Sequence, residues 1–352
     1  MRILVLSKYS RKGASSRYRM FQYYASLEAR NHQIRTEPLL EDSYLDRLSS
    51  GRGRLFSVIK GYFNRFKVLI QAKGYDVLWI EKELFPWTPW VVEKWLLKRL
   101  RTPFIVDYDD AIFHQYDQHQ WTWVRKVLGQ KCDKVMRAAQ CVVAGNRYLG
   151  QRAQCAGARN IVIVPTVVSQ KVFFPANPQN PVPVIGWIGS KSTASYLEKL
   201  RPTLQKLALH YQFKFQVIGA TVDWPEFPVE IIPWNEKEES RLVQGLDIGV
   251  MPLLDSPWEQ GKCGFKLIQY MACGKPVVAD PVGVNSEIVQ HGVNGYLISE
   301  SWNWYQALEA LLVSADQRLK MGQQSHKMFL QNYSLEKWQD KIYELIESCG
   351  HR

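Results

Sequence analysis

The sequence has no CxxC pair, no histidines grouped at metal-ligand spacing and no apolar run near the roughly 20 residues that a bilayer span requires. Its six cysteines, Cys132, Cys141, Cys155, Cys263, Cys273 and Cys349, are scattered. That scatter argues against a disulfide framework or a structural metal and fits a reducing cytoplasm. Cys141 and Cys273 lie in apolar contexts and read as small buried residues. The amino-terminal MRILVLSKYS holds an apolar run of four residues, too short for a signal peptide, and reads as a first buried strand. Acid is the scarcer charge: 33 Asp and Glu against 45 Lys and Arg leave a formal charge of +12. Such a surplus points to anionic partners (phosphates, nucleotides, anionic lipid or nucleic acid) or to a basic surface with no specific role.

A length of 352 residues exceeds one typical domain and suits two. With 46% hydrophobic and 22% charged residues, the composition is that of a soluble globular protein. Two halves repeat one grammar. In the first, apolar strands are expected at 3–6, 77–80, 104–106, 141–144 and 161–164, with a helix over 18–30. The proline- and asparagine-rich stretch 174–181 reads as a linker. Strands at 184–188, 215–218, 248–251 and 277–279 follow, with helices over 195–210, 302–313, 315–333 and 335–348. Helices alternating with apolar strands predict α/β architecture on parallel sheets. The expectation is two doubly wound domains facing across a cleft, the usual place for a ligand.

The densest signal is 261–285, GKCGFKLIQYMACGKPVVADPVGVN. Phe265, Ile268 and Ala272 recur at helical spacing, Gly274 ends the helix and Pro276 prevents its resumption before the strand Val277-Val278-Ala279. Such αβ units hold nucleotides and phosphates at their loops and helix starts, although an ordinary core element has the same pattern. Lys262 and Lys266 flank this helix start, with Cys263, Gly264 and Phe265 offering close backbone. The alternative is that they are solvated lysines on an exposed turn.

Residues 54–72 put Leu55, Ile59, Tyr62, Phe66 and Leu69 on one helical face, and the charges Arg54, Lys60, Arg65 and Lys67 are all positive. A basic amphipathic helix can lie on an anionic membrane. Equally, it can pack on its own sheet with a solvated basic edge. Residues 85–95 add three tryptophans and two prolines, fitting either an interfacial surface or a helix start with core aromatics.

The chain resembles the family 4 glycosyltransferases, most strongly from 185 to 298. Gln269-Tyr270-Met271-Ala272-Cys273-Gly274-Lys275-Pro276-Val277-Val278 resembles the second half of that family's donor-site signature, with Gln269 where the second Glu usually sits and Gly261 where the first does. The resemblance implies the GT-B fold: two Rossmann-like domains with a nucleotide sugar between them, here 1–172 on the acceptor side and 173–334 on the donor side. The last helix, 335–352, is expected to pack back on the first domain. Gln269 can still accept from ribose hydroxyls through its amide oxygen, without charge assistance. Glu259 is a candidate substitute for the missing first Glu. Lys191 and Lys266 are the expected catalytic cations, neutralising the departing diphosphate without a metal. The loop with Gly189, Ser192 and Thr193 holds that diphosphate, and either hydroxyl residue can instead cap the next helix. Trp234 lies by the nucleobase, with Glu238 or Glu239 near ribose or base.

In the first domain the resemblance implies a loop of Gly13, Ser15 and Arg17 reaching towards donor and acceptor. Arg17 and Arg19 either bind phosphate or line the polar side of the first helix. Asp109 and Asp110, after the strand 104–106, stand where the family often carries His-Asp. Asp109 is a candidate to bond sugar hydroxyls or orient the acceptor hydroxyl, with His114 beside it or purely structural. The acidic group resembles a Mg²⁺ site, but the fold usually works without metal and no cofactor is expected.

The implied activity is transfer of a hexose-type sugar, with retention, from a nucleotide sugar to a saccharide or lipid-linked hydroxyl in cell-surface polysaccharide or glycolipid synthesis. The expected location is the cytoplasm, peripheral at the inner membrane face. A non-catalytic nucleotide-sugar or glycan-binding protein is the rival reading, since both family glutamates are absent. Nucleic acid is not an expected partner, because aromatics and basic residues are not interleaved as in a single-strand platform.

Overall fold

The computed structural model describes residues 1–44, 55–176 and 180–350. Arg54 of the basic helix and 177–179 of the expected linker lie outside the described residues. The chain divides into two compact units, Met1–Thr166 with Trp338–Arg352, and Val167–Lys337. Sequence reading places the corresponding boundaries at 172/173 and 334/335.

Unit 1 is built on a six-stranded sheet. Its strands are β1 (Arg2–Leu6), β2 (Gln33–Thr36), β3 (Val77–Glu81), β4 (Phe104–Tyr108), β5 (Cys141–Ala144) and β6 (Ile161–Ile163). All pairs are parallel, in the order β2-β1-β3-β4-β5-β6. β3, β4 and β5 are buried along their whole length, as strands covered on both faces must be, and that is why they read as unbroken apolar runs. Chain order reverses at β1/β3, and the carboxyl ends of strands at such a switch form the ligand crevice of doubly wound folds. The register pairs Glu81 with Asp107 there. The last helix, Leu335–Gly350, carries Tyr343 against His32, with ring centroids 5.4 Å apart, and Glu347 3.1 Å from the His32 imidazole.

Unit 2 holds β7 (Val184–Ile188), β8 (Lys214–Ile218), β9 (Glu230–Ile232), β10 (Ile248–Met251), β11 (Val277–Ala279) and β12 (Gly295–Leu297). Their order, β12-β11-β10-β7-β8-β9, is again all parallel. Renumbered within the unit, it is the Rossmann order 3-2-1-4-5-6, with its switch between β7 and β10. Tyr270 spans that switch: its hydroxyl accepts the Ile188 N–H at 3.0 Å and donates to Val250 O at 3.4 Å.

Three elements differ from expectation for local reasons. The helix expected over 18–30 begins earlier, at Ala14, and breaks at Met20 (φ −129°, ψ −61°) into a 3₁₀ turn and a second short helix, Tyr24–Glu28. The helix expected over 195–210 is a run of 3₁₀ turns, Lys191–Lys199, followed by the α-helix Arg201–Ala208. Pro202 sits in that α-helix's first turn, where its missing N–H costs nothing.

The helix Leu55–Gln71 is the third. It turns the basic-edge reading inside out: Leu69 is buried as expected, but so is Arg65, whereas Leu55, Ile59 and Phe66 are exposed. The Arg65 guanidinium donates to Ser7 O (2.5 Å), Glu37 O (2.8 Å) and Leu84 O (3.5 Å), tying three connections together.

Candidate active site

The unit 2 site sits at its switch point. β7 runs into Gly189, whose N–H donates to Ile218 O at 2.9 Å. A Cβ on Gly189 would lie 2.3 Å from the Trp187 ring and 2.9 Å from Lys266 Cε. Gly219, after β8, has φ +85°, and its Cβ would meet Gly189 O at 2.6 Å and Trp234 Cβ at 3.1 Å. Two glycines thus let two loops and two aromatic residues converge. Lys266 completes the group, with Nζ 5.2 Å from the Trp187 ring centroid. Gly189, Lys266 and Trp234, separate in sequence, are brought together here, and Lys191 follows in the same loop. Sequence reasoning reached Gly189 through the family resemblance and missed Gly219, although each is a glycine directly after an apolar strand.

Gly264, in the left-handed region at φ +63°, immediately precedes the helix Phe265–Ala272. Cys263 is buried behind it, Phe265 is half-exposed, and Lys262 Nζ lies 5.8 Å from the Tyr196 ring centroid. The hydroxyl residues do not cap the Lys191–Lys199 segment: its N-cap is Ser190, Thr193 Oγ donates to Ser190 O at 3.1 Å, and Ser192 pairs with the Ser190 hydroxyl. Glu259 is buried and accepts from the hydroxyls of Tyr196 and Ser256. Gln269 is buried, and its amide donates to Glu239 Oε1 at 3.0 Å. A carboxylate therefore lies directly beside Gln269, carried by the neighbouring helix Glu239–Gln244. Asp280, at the end of β11, was also missed; it accepts from Lys199 Nζ (2.7 Å), Leu253 N–H (2.9 Å) and Trp304 Nε1 (3.3 Å).

The unit 1 site lies at the carboxyl ends of β1, β3 and β4. Lys82 follows β3 with φ +64°, an uncommon conformation for a side chain with a Cβ. Its Nζ lies 2.7 Å from Asp109 Oδ1, 3.7 Å from Asp110 and 3.3 Å from Ser15 Oγ. The single Ser15 hydroxyl proton has two carboxylate oxygens in reach, Asp109 Oδ2 (2.5 Å) and Glu81 Oε1 (3.0 Å). Glu81 Oε2 accepts from Ser16 Oγ (2.6 Å) and the Lys8 N–H (2.7 Å). Burial raises the Asp109 pKa, but the Lys82 ammonium, Arg19 and the Ser15 hydroxyl together outweigh it and hold the group down at about 2. Asp109 is thus a fixed anion at neutral pH, suited to accepting from hydroxyls rather than to taking up a proton.

Arg19, offered a phosphate-binding role or the polar helix side by sequence, is turned inward rather than lying on a solvated polar side. It is buried and bidentate to Asp107, at 2.7 and 3.2 Å, and also donates to Val164 O at 2.7 Å. Burial pushes Asp107 up to about 6, with Arg19 opposing. Arg17 is also buried, donating to Arg11 O at 3.2 Å. Gly13 is the N-cap of the helix Ala14–Arg19 and packs on Tyr9. His114 is held by Asp117 and the Tyr148 hydroxyl, each at 2.8 Å, with Arg152 2.9 Å from Asp117. That scaffold gives His114 structural partners on both ring nitrogens. Glu81 and Lys82 were missed, although they close an apolar strand much as Asp109 and Asp110 follow one.

Gly189→Ala is expected to lower the melting temperature of unit 2 by the equivalent of about 1–3 kcal/mol, because the buried Trp187 ring leaves no room for a methyl group. An unchanged thermal melt would mean that the ring swings aside.

Residues 183–314 match the family model "Glycosyl transferases group 1". Among curated proteins, the D-inositol 3-phosphate glycosyltransferase of Pseudarthrobacter chlorophenolicus is 26% identical over 138 residues. That match covers 37% of this chain and 32% of the relative, so it spans about a third of the relative's length. Among solved structures, sucrose-phosphate synthase from Thermosynechococcus elongatus superposes with a TM-score of 0.72 at 15% identity, covering 99% of this chain and 98% of that one. Anabaena HepE, solved with UDP and glucose, has a TM-score of 0.70 at 16% identity, covering 99% and 100%. At such identities the likeness speaks to fold. Residues 183–314 thus resemble the group 1 glycosyl transferases, and the chain as a whole has the GT-B fold.

Proposed function

We propose that the protein transfers a hexose-type sugar from a nucleotide sugar to a hydroxyl of a saccharide or lipid-linked acceptor, with retention and without a metal, in the cytoplasm during cell-surface polysaccharide or glycolipid assembly. The observation that carries this is the convergence of Gly189, Gly219, Trp234 and Lys266 at the Rossmann switch of unit 2, inside the segment that matches the family model. That HepE was solved with UDP and glucose makes uridine the first base to try.

As the glycosidic bond breaks, its electron pair moves to the diphosphate oxygen. Lys266, Lys191 and the backbone N–H groups opening the helix Phe265–Ala272 stabilise that charge. The same phosphate oxygen takes the proton of the acceptor hydroxyl as the new C–O bond forms on the same face. Asp109, held anionic by Lys82, accepts from sugar hydroxyls. The Glu239–Gln269 pair sets a carboxylate beside Gln269, which supports a ribose-binding role for the two together.

Calorimetry with UDP, GDP, dTDP and ADP and their sugars, with and without EDTA, tests the reading. One nucleoside diphosphate should bind, EDTA should not abolish binding, and its sugar should be turned over with an acceptor. Binding without turnover across acceptors moves the protein to the non-catalytic reading. No binding at millimolar ligand sinks the glycosyltransferase reading and leaves the glycan-binding one.

A further inference from the structure

The helix Leu55–Gln71 presents Leu55, Ile59, Phe63 and Phe66 to solvent, spaced i, i+4, i+8 and i+11, which is one stripe along a helix. Leu55 is 74% exposed, Phe56 beside it 74%, Ile59 58% and Phe63 68%. Arg65 and Leu69 are buried on the inward side, which adjoins the stripe and also carries the half-buried Val58, Gly61 and Tyr62. The stripe continues onto the next helix, Trp90–Leu100: Trp95, 53% exposed, stacks on Phe66 with ring centroids 6.4 Å apart and planes 12° apart. A helix that buries its arginine and exposes its phenylalanines is inverted for a water-facing surface. The inversion calls for an apolar environment outside.

The charges identify that environment. Between them the two helices expose Lys60, Lys67, Lys94, Lys98 and Arg99, while their single acid, Glu93, is buried against Lys131 at 3.0 Å. Glu41 lies 3.7 Å from Lys60, an exposed pair of little energetic weight. Aromatic and aliphatic side chains flanked by exposed lysines suit the headgroup and upper acyl region of an anionic bilayer. No helix among the described residues is long and apolar enough to cross one.

We propose that this face of unit 1 docks on the surface of an anionic lipid bilayer, its apolar stripe among the acyl chains and its lysines against lipid phosphates. The proposal goes beyond the sugar-transfer reading and does not depend on it. The test is co-sedimentation of the full chain with vesicles of equal parts phosphatidylglycerol and phosphatidylcholine, and with phosphatidylcholine alone. The wild type should sediment with the anionic vesicles and little with the neutral ones, and its binding should weaken between about 0.05 M and about 0.5 M salt. Ile59→Asp with Phe63→Asp, and separately Lys94→Glu with Lys98→Glu, should each lower bound protein roughly tenfold or more at unchanged melting temperature. Equal binding to both vesicle types, binding that survives both double variants, or no binding at all would overturn the proposal. So would a concentration-dependent dimer that the apolar double variant dissolves without any lipid binding, since a second copy of the chain would then be the occupant.

Discussion

Lys82→Met is expected to cost unit 1 about 3–5 kcal/mol, the usual penalty for removing one partner of a buried ion pair. Lys82 is 5% exposed and Asp109 12%, with Asp110 and Glu81 close by, so the substitution leaves carboxylates facing one another with little water. In melting temperature the loss should be on the order of 10 °C for a unit of this size. The pH dependence gives a second, sharper signature. In the wild type, Asp109 is lowered from 3.8 to about 2, so its contribution is fully present above about pH 4 and lost as pH falls through about 2. In Lys82→Met the burial of Asp109 loses its main opponent and is countered only by Arg19 and the Ser15 hydroxyl, so the Asp109 pKa rises from its wild-type position. The stability that Asp109 contributes above about pH 4 is correspondingly smaller in the variant. Its deficit relative to wild type should therefore shrink on acidification, measured by thermal melts from about pH 7 to about pH 3. A loss below about 1 kcal/mol with parallel pH profiles would show that water reaches these carboxylates and that Lys82 does not hold them.

The two kinds of side chain in that cluster also mark where sequence reading succeeds. β3, β4 and β5 are legible because helices on both faces demand unbroken apolar runs, and Val77–Glu81 and Cys141–Ala144 supply them. The strands β2, β9 and β12 are not: Gln-Ile-Arg-Thr, Glu-Ile-Ile and Gly-Tyr-Leu lie at or near sheet edges, are short, and carry polar or flexible residues that propensity assigns elsewhere. Asp109 and Ser15 are legible as polar residues after strands in a doubly wound fold. Lys82 is not, because its inward position depends on the β1/β3 switch and on a left-handed backbone that no pattern announces. The Glu239–Gln269 contact is hidden for a similar reason: 30 residues separate its members, and only the packing of two helices joins them. Arg65 is the opposite failure. Helical periodicity placed it on a basic solvated edge, whereas three backbone carbonyls from separate connections draw it inward and leave the apolar stripe outside.

Lys266→Ala should lower kcat/KM for the nucleotide-sugar donor by roughly 10²–10³, about 3–4 kcal/mol of transition-state stabilisation. The argument begins with position. Lys266 stands in the first turn of the helix Phe265–Ala272, beside Gly189 and over the Trp187 ring, where the stem is held and the ammonium is placed by one buried aromatic residue. Charge on a departing diphosphate grows as the bond breaks, so a fixed cation interacts more strongly with the transition state than with the bound donor. The loss should accordingly fall mainly on kcat, with a smaller rise in KM. The cation–π contact with Trp187 itself accounts for about 0.5–1 kcal/mol of apo stability, well below the expected loss in rate. Lys266→Arg should recover part of the rate, because the charge returns although its reach and shape differ. Steady-state kinetics with the donor that calorimetry identifies, on wild type, Lys266→Ala and Lys266→Arg, separates these cases. If Lys266→Ala raises KM alone and leaves kcat intact, Lys266 binds ground state and transition state equally, and stabilisation of the leaving group must come from Lys191 and the helix N–H groups instead.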